Sequence, residues 1–164
     1  MSKKTLYIAR HANSDWKNTS ISDYERPLNP RGERDAPLIA NVLKAKGISP
    51  ELILSSPAKR AKETATAYHE TLGGELRFDL RIYEASHLNL YYIMEESFQE
   101  VDSLMIVGHN PGLTQLNDIL SNKSIYNLVT AAVVAIEFED EVATHKGKQL
   151  FFEYPKKYIQ EDGL

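Results

Sequence analysis

Four basic side chains, Arg10, His11, Arg60 and His109, each lie within a few residues of the end of an apolar, β-prone run. The runs are Lys4–Ala9, Glu51–Leu54 and Ser103–Val107, so the basic groups recur about fifty residues apart, a spacing that fits successive strand ends of one sheet. In open α/β sheets ligands bind beyond the carboxyl ends of the strands, where residues distant in sequence meet in one crevice. Arginine brings a planar fork of donors that never loses its proton, which suits paired hydrogen bonds to phosphate oxygens. Histidine brings two ring nitrogens, and an acceptor on one fixes the tautomer and leaves the lone pair of the other free. Two Arg and two His together describe a pocket for a dianion. Ser56-Pro57 and Asn110-Pro111 read as a cap and first-turn proline for the helices that follow, whose N-terminal N–H groups would add to the pocket.

The elements that must position these groups alternate. After the first strand come about twenty irregular residues, then a helix from Asn29-Pro30 to Gly47, with Ala36, Ile39, Ala40 and Leu43 at helical spacing and a kink expected at Pro37. A helix from Ser56-Pro57 to Leu72 ends at Gly73-Gly74. A short strand over Leu76–Asp79, a helix over Leu88–Phe98 and a helix from Asn110-Pro111 to Leu120 continue the pattern. Ala131–Phe138 and Lys148–Tyr154 read as two closing strands, a hairpin joined by the charged segment 139–147. The chain of 164 residues, 42% hydrophobic, contains no repeat or linker, so residues 1–164 read as one α/β domain: a three-layer sandwich on a mostly parallel sheet with an antiparallel addition.

Composition narrows the chemistry. A net charge of -4 gives no global field to draw the chain onto nucleic acid or anionic lipid, so any anion must be captured locally. Cysteine is absent, which removes thiol nucleophiles, disulfides and zinc-thiolate sites and suits a reducing, cytoplasmic compartment. The apolar run Leu6–Ala9 is cut by Arg10 and is too short for a signal-peptide core or a membrane span. No His-Glu-x-x-His, phosphate-binding Gly-x-x-x-x-Gly-Lys or clustered carboxylates occur, so neither a metal nor a cofactor is expected.

Ile8-Ala9-Arg10-His11-Ala12, Ser55-Ser56-Pro57-Ala58-Lys59-Arg60-Ala61-Lys62-Glu63-Thr64 and Val107-Gly108-His109-Asn110 resemble the signatures of the histidine phosphatase superfamily. The segment Asp23-Tyr24-Glu25-Arg26-Pro27-Leu28-Asn29-Pro30-Arg31-Gly32 resembles its SixA-type phosphohistidine phosphatases. Lys17 stands where mutase-like members often have asparagine, which points away from a mutase. The resemblance implies a phosphoglycerate mutase-like fold, His11 as nucleophile, Arg10 and Arg60 as holders of the phosphoryl oxygens, and His109 as a stabiliser of transferred charge. Glu84 lies where the superfamily often keeps its proton donor, a role that needs partial burial to raise its pKa. Ser14 matches a phosphate-binding residue of relatives, and Arg26 and Asn110 join it as candidate substrate contacts.

The reaction expected is metal-independent hydrolysis through a covalent phosphohistidine. Its substrate would be a phosphorylated histidine protein, such as a phosphotransfer domain. The alternatives are a small phosphorylated metabolite turned over by a phosphomonoesterase, and a module that binds phosphate without turnover. Asp15, Trp16, Asp23 and Arg26 lie in the long segment 13–29, read as a rim or lid. His69 and His145 read as surface or satisfied residues, and His87 is left open.

Overall fold

Side chains alternate across β1 (Lys4–Arg10): Leu6 and Ile8 pack into one hydrophobic cluster, Tyr7 and Ala9 into another. The same period of two divides β4 (Ser103–Gly108), where Leu104 and Ile106 join the first cluster and Met105 and Val107 the second. A sheet buried on both faces therefore has two cores. In the computed structural model, which describes residues 2–159, the first core is closed by α3 (His87–Ser97) and α4 (Gly112–Leu120) through Leu90, Ile93, Met94, Leu113, Leu116 and Leu120. The second is closed by α1 (Pro30–Ala45) and α2 (Lys59–Leu72) through Ile39, Leu43, Ala61, Ala65 and Tyr68. The result is an α/β/α sandwich, two helical layers closing the two faces of one sheet.

With β2 (Leu52–Ser55), β3 (Glu75–Phe78), β5 (Val133–Phe138) and β6 (Lys148–Glu153), the sheet runs β3-β2-β4-β1-β5-β6. The first four of these are mutually parallel, β5 is antiparallel to β1, and β6 pairs antiparallel with β5, as the closing hairpin required. The chain passes over one strand position between β1 and β2, and β4 later fills it. Register then aligns the three central ends: Ser55 lies opposite Val107, and Val107 opposite Ala9. The ends of β2 and β1 are two strand spacings apart, about 10 Å.

Three details differ from expectation. The strand and helix limits shift by one or two residues, as frayed ends do. α1 continues through Pro37, which lies on the solvent side. Ser56 is not the cap of α2: the N-cap is Ala58, with no side-chain bond, and the Ser56 hydroxyl instead accepts from Ala58 N at 3.2 Å within the preceding loop. Asn29 does cap α1, accepting from Gly32 N at 2.9 Å. Among the described residues no helix is long and apolar enough to cross a membrane.

Candidate active site

Because β4 lies between β2 and β1, the loops leaving all three strands open onto one place. The ladder continues past the strand ends: His11 N donates to Gly108 O, Ser56 N to Val107 O, and Ala131 N to His11 O. These bonds fix the backbone on both sides of His11, and its ring comes to lie 5.3 Å from the ring of His109, centroid to centroid. His11 is 6% exposed and Arg60 5%, so both form a floor below the surface.

The acceptor that fixes the His11 tautomer is its own neighbour. Nδ1 lies 2.7 Å from Ala12 O, and since a carbonyl can only accept, Nδ1 carries the proton and Nε2 presents a lone pair. Ala12 is itself tied down, its N–H donating to Thr64 Oγ1 at 2.9 Å, while the Thr64 hydroxyl donates to Arg60 O at 2.8 Å. A turn of α2 thus carries both a guanidinium of the site and the support for the imidazole. Burial, with the charges of His109, Arg60 and Arg10, lowers the His11 pKa to about 3 against the pull of the Ala12 bond. His109 is lowered to about 4 by burial and then by Arg60, Arg10 and Arg26, with Asp23 opposing. Both imidazoles are neutral at neutral pH.

The arginines are partly satisfied. Arg10 Nη1 donates to Leu128 O at 3.2 Å, and Arg60 donates from Nη1 to Asp23 O at 2.7 Å and from Nη2 to Asp23 Oδ2 at 3.1 Å. The Nε of each is buried without a hydrogen-bond partner. A buried donor left unpaired costs free energy, and a tetrahedral oxyanion between the two guanidiniums would meet that need. The expected helix ends contribute less. Lys59 N donates to Tyr24 O, Ala58 N to Ser56 Oγ, and Thr114 N to Asn110 Oδ1, so several terminal amides are already paired. Among the described residues no group of three His, Asp or Glu gathers as a metal site.

The remaining candidates divide. Ser14 and Arg26 are buried and bonded to each other, Nε to Oγ at 3.1 Å, and the Arg26 guanidinium stacks 3.7 Å over the Trp16 ring. Trp16 itself is exposed and covers this arginine. The segment 13–29 is pinned at its base by Asp15 N to Pro27 O and Asn29 N to Asn13 O. Asn110 has its amide committed to Leu128 O, Asn127 and Thr114, which makes it a brace for the Leu128 carbonyl that Arg10 also uses. Glu84 departs from expectation: it is exposed, on a backbone with φ of 58°, without the partial burial expected of it. The bend that follows the Leu80–Ile82 turn carries it to the surface. His87 is the first residue of α3.

Sequence reasoning gave no role to Tyr83 or Thr64 and read Ser56 only as a helix cap and Asp23 only as part of a rim or lid, yet all four touch the central residues. Asp23 receives Arg26 Nη1 at 2.6 Å on Oδ1, and Arg60 Nη2 at 3.1 Å and Tyr83 OH at 2.7 Å on Oδ2. Burial alone would raise this carboxyl, but the bonds from Tyr83 and Arg26 and the Arg60 charge outweigh it and hold it well below the usual carboxylate range. Tyr83 also meets the His109 ring edge-on at 5.6 Å, and Ser56 Oγ lies 2.8 Å from His109 Nε2. A carboxylate in a loop and a tyrosine after a turn have no local signal for such roles. Only Thr64, one helical turn after Arg60, could have been singled out.

Comparison with known proteins gives the fold and the family. A 25% identical chain from Agrobacterium tumefaciens, provisionally named as the phosphohistidine phosphatase SixA, superposes with a TM-score of 0.80 over 93% of this chain and 98% of its own. A protein histidine phosphatase SixA complexed with tungstate, 21% identical, superposes with a TM-score of 0.82 over 94% and 99% and shares the fold. An uncharacterized chloroplastic protein of Arabidopsis thaliana is 32% identical over 134 residues, which span 74% of this chain and 61% of that protein. The family profile of the histidine phosphatase superfamily (branch 1) matches residues 6–105, the stretch that carries Arg10, His11, Arg60 and their supports, and the chain belongs to that superfamily.

Proposed function

We propose that the chain is a phosphatase in which His11 takes the phosphoryl group as a covalent intermediate, and that its substrate is phosphohistidine in a protein. The observation that carries this reading is the His11 tautomer: Nδ1 bound to Ala12 O leaves Nε2 free to attack in line, beside two guanidiniums with unpaired Nε donors. Arg10 and Arg60 hold the equatorial oxygens, whose charge spreads in the transition state, so preorganised donors supply most of the acceleration. His109, neutral at rest, gains a proton as the dianion neutralises the surrounding positive charge and then donates to a phosphoryl oxygen. The same positive charge opposes entry of a metal cation, so the reaction runs without one. Binding alone would need only the arginines, and the fixed nucleophile tautomer favours turnover over mere recognition. The likeness to SixA-named structures supports a protein-borne phosphohistidine, and an accessible phosphate on a small molecule is the competing substrate.

A direct test follows enzyme through one turnover. Brief exposure to substrate should leave phosphate on His11, labile in acid and stable in alkali, and His11→Ala should lose both adduct and turnover. Full activity in that variant would overturn the mechanism. Higher kcat/KM for sugar phosphates than for phosphohistidine proteins would overturn the substrate.

A further inference from the structure

The carboxylate of Asp23 lies at the pocket's open side. In-line displacement places the leaving group opposite the attacking atom, hence on the side of the phosphorus away from His11. His11 is 6% exposed whereas the Asp23 side chain is 46% exposed, so a group leaving the floor departs toward solvent past this carboxylate. Asp23 accepts three hydrogen bonds, two on Oδ2 from Arg60 and Tyr83 and one on Oδ1 from Arg26. A carboxylate offers about four acceptor positions, so Oδ1 keeps one. Beside it stand aromatic rings: Tyr83 meets His109 at 5.6 Å and Tyr24 meets Tyr83 edge-to-face at 5.1 Å.

The donors around Asp23 keep it ionised, so it has no proton to give an alkoxide, and Glu84 is exposed. A leaving group on this side must therefore bring its own proton. An imidazole phosphorylated on one nitrogen and protonated on the other does so: it is flat, cationic and carries an N–H, matching rings and a free carboxylate acceptor.

We propose that Asp23 determines specificity by accepting, at Oδ1, the ring N–H of the departing imidazole, favouring N-phosphoryl substrates over alkyl phosphates. This rests on the phosphatase reading above and assigns its preference to one residue. The Nε2 lone pair of His11 forms the new P–N bond as the substrate's P–N bond breaks. That bond's electron pair goes to the leaving nitrogen, and the imidazolium departs as neutral imidazole with its distant N–H still directed at Asp23. Water then attacks the phosphorus, the pair of the P–N bond returns to His11, one water proton is released, and phosphate leaves.

The test is the ratio of kcat/KM for phosphoimidazole to that for p-nitrophenyl phosphate, measured in wild type, Asp23→Asn, Asp23→Ser and Asp23→Glu. Both substrates use the same phosphoryl clamp, so any displacement of Arg60 divides out of the ratio. The expected result is a fall of at least about tenfold in the Asn and Ser variants, with Glu keeping the ratio within about threefold of wild type. An unchanged ratio in both neutral variants, with wild type hydrolysing phosphoimidazole, overturns this inference alone. Wild type that turns over p-nitrophenyl phosphate but not phosphoimidazole overturns the substrate reading with it.

Discussion

Arg60 Nη2 stands 3.4 Å from Nδ1 of His109, and because a guanidinium can only donate, that ring nitrogen accepts. The proton of the neutral imidazole is then on Nε2, which donates to Ser56 Oγ at 2.8 Å. A cation next to an imidazole opposes its protonation. The residue proposed to stabilise transferred charge is thus uncharged in the free pocket.

This arrangement fixes a pH dependence of stability. In the unfolded chain both imidazoles protonate near pH 6.5, whereas in the folded chain His109 does so at about 4 and His11 at about 3. Between these values the unfolded state holds more protons, so stability falls as pH drops from about 7 toward 4 and recovers as pH rises. Each neutral imidazole contributes up to about 1.4 kcal/mol per pH unit within its window. Urea unfolding across that range should show a shallower acid slope in His109→Asn than in wild type. An identical slope would show that His109 titrates normally in the folded protein.

The arginine clamp depends on geometry as well as charge. Arg10→Lys and Arg60→Lys keep a cation but lose the fork, and each should lower kcat/KM by about 10- to 1000-fold, or about 1.4 to 4 kcal/mol. Vanadate, a mimic of the trigonal-bipyramidal transition state, should inhibit wild type and bind more weakly to both variants. Near-wild-type kinetics in both would mean that the guanidiniums do not hold the phosphoryl group.

Gly32 sets the close approach of α1 to the residues after His11. A Cβ built there would stand 2.0 Å from the Asn13 carbonyl oxygen, which is backbone and cannot turn aside. Gly32→Ala should therefore destabilise the fold by about 1–3 kcal/mol and lower activity by displacing the start of the 13–29 segment. Thermal unfolding at or above the wild-type midpoint would contradict this packing.

Glu84 offers a separate check on the leaving group. It is exposed, at φ 58°, with none of the partial burial the proton-donor role was expected to need. Glu84→Gln should alter kcat/KM by less than about threefold for alkyl phosphates, nitrophenyl phosphate and phosphohistidine alike. Selective slowing of the alkyl phosphates by tenfold or more would restore Glu84 as a general acid.

Much of the site was legible before folding. The apolar runs ending at Arg10-His11, before Arg60 and before His109 name the strands, and the rule that α/β sheets bind ligands at strand C-termini brings their loops together. Asn29-Pro30 marks the start of α1, and the alternation of Leu6, Tyr7, Ile8 and Ala9 implies cores on both faces. Such signals are local, set by backbone sterics and by side-chain period along one element.

Tertiary structure decided what spacing does not encode. Insertion of β4 between β2 and β1 made three strand ends neighbours, a result of pairing among strands far apart in sequence. Asp23 reaches Arg60 and Tyr83 only because the 13–29 segment folds back over its own base. Ser56, a plausible cap by sequence, serves His109 because one turn of loop separates it from α2. Ala12 O is the acceptor for His11, on a residue whose own N–H is held by Thr64. A short polar side chain has several partners within reach in an unfolded chain, and long-range packing selects among them.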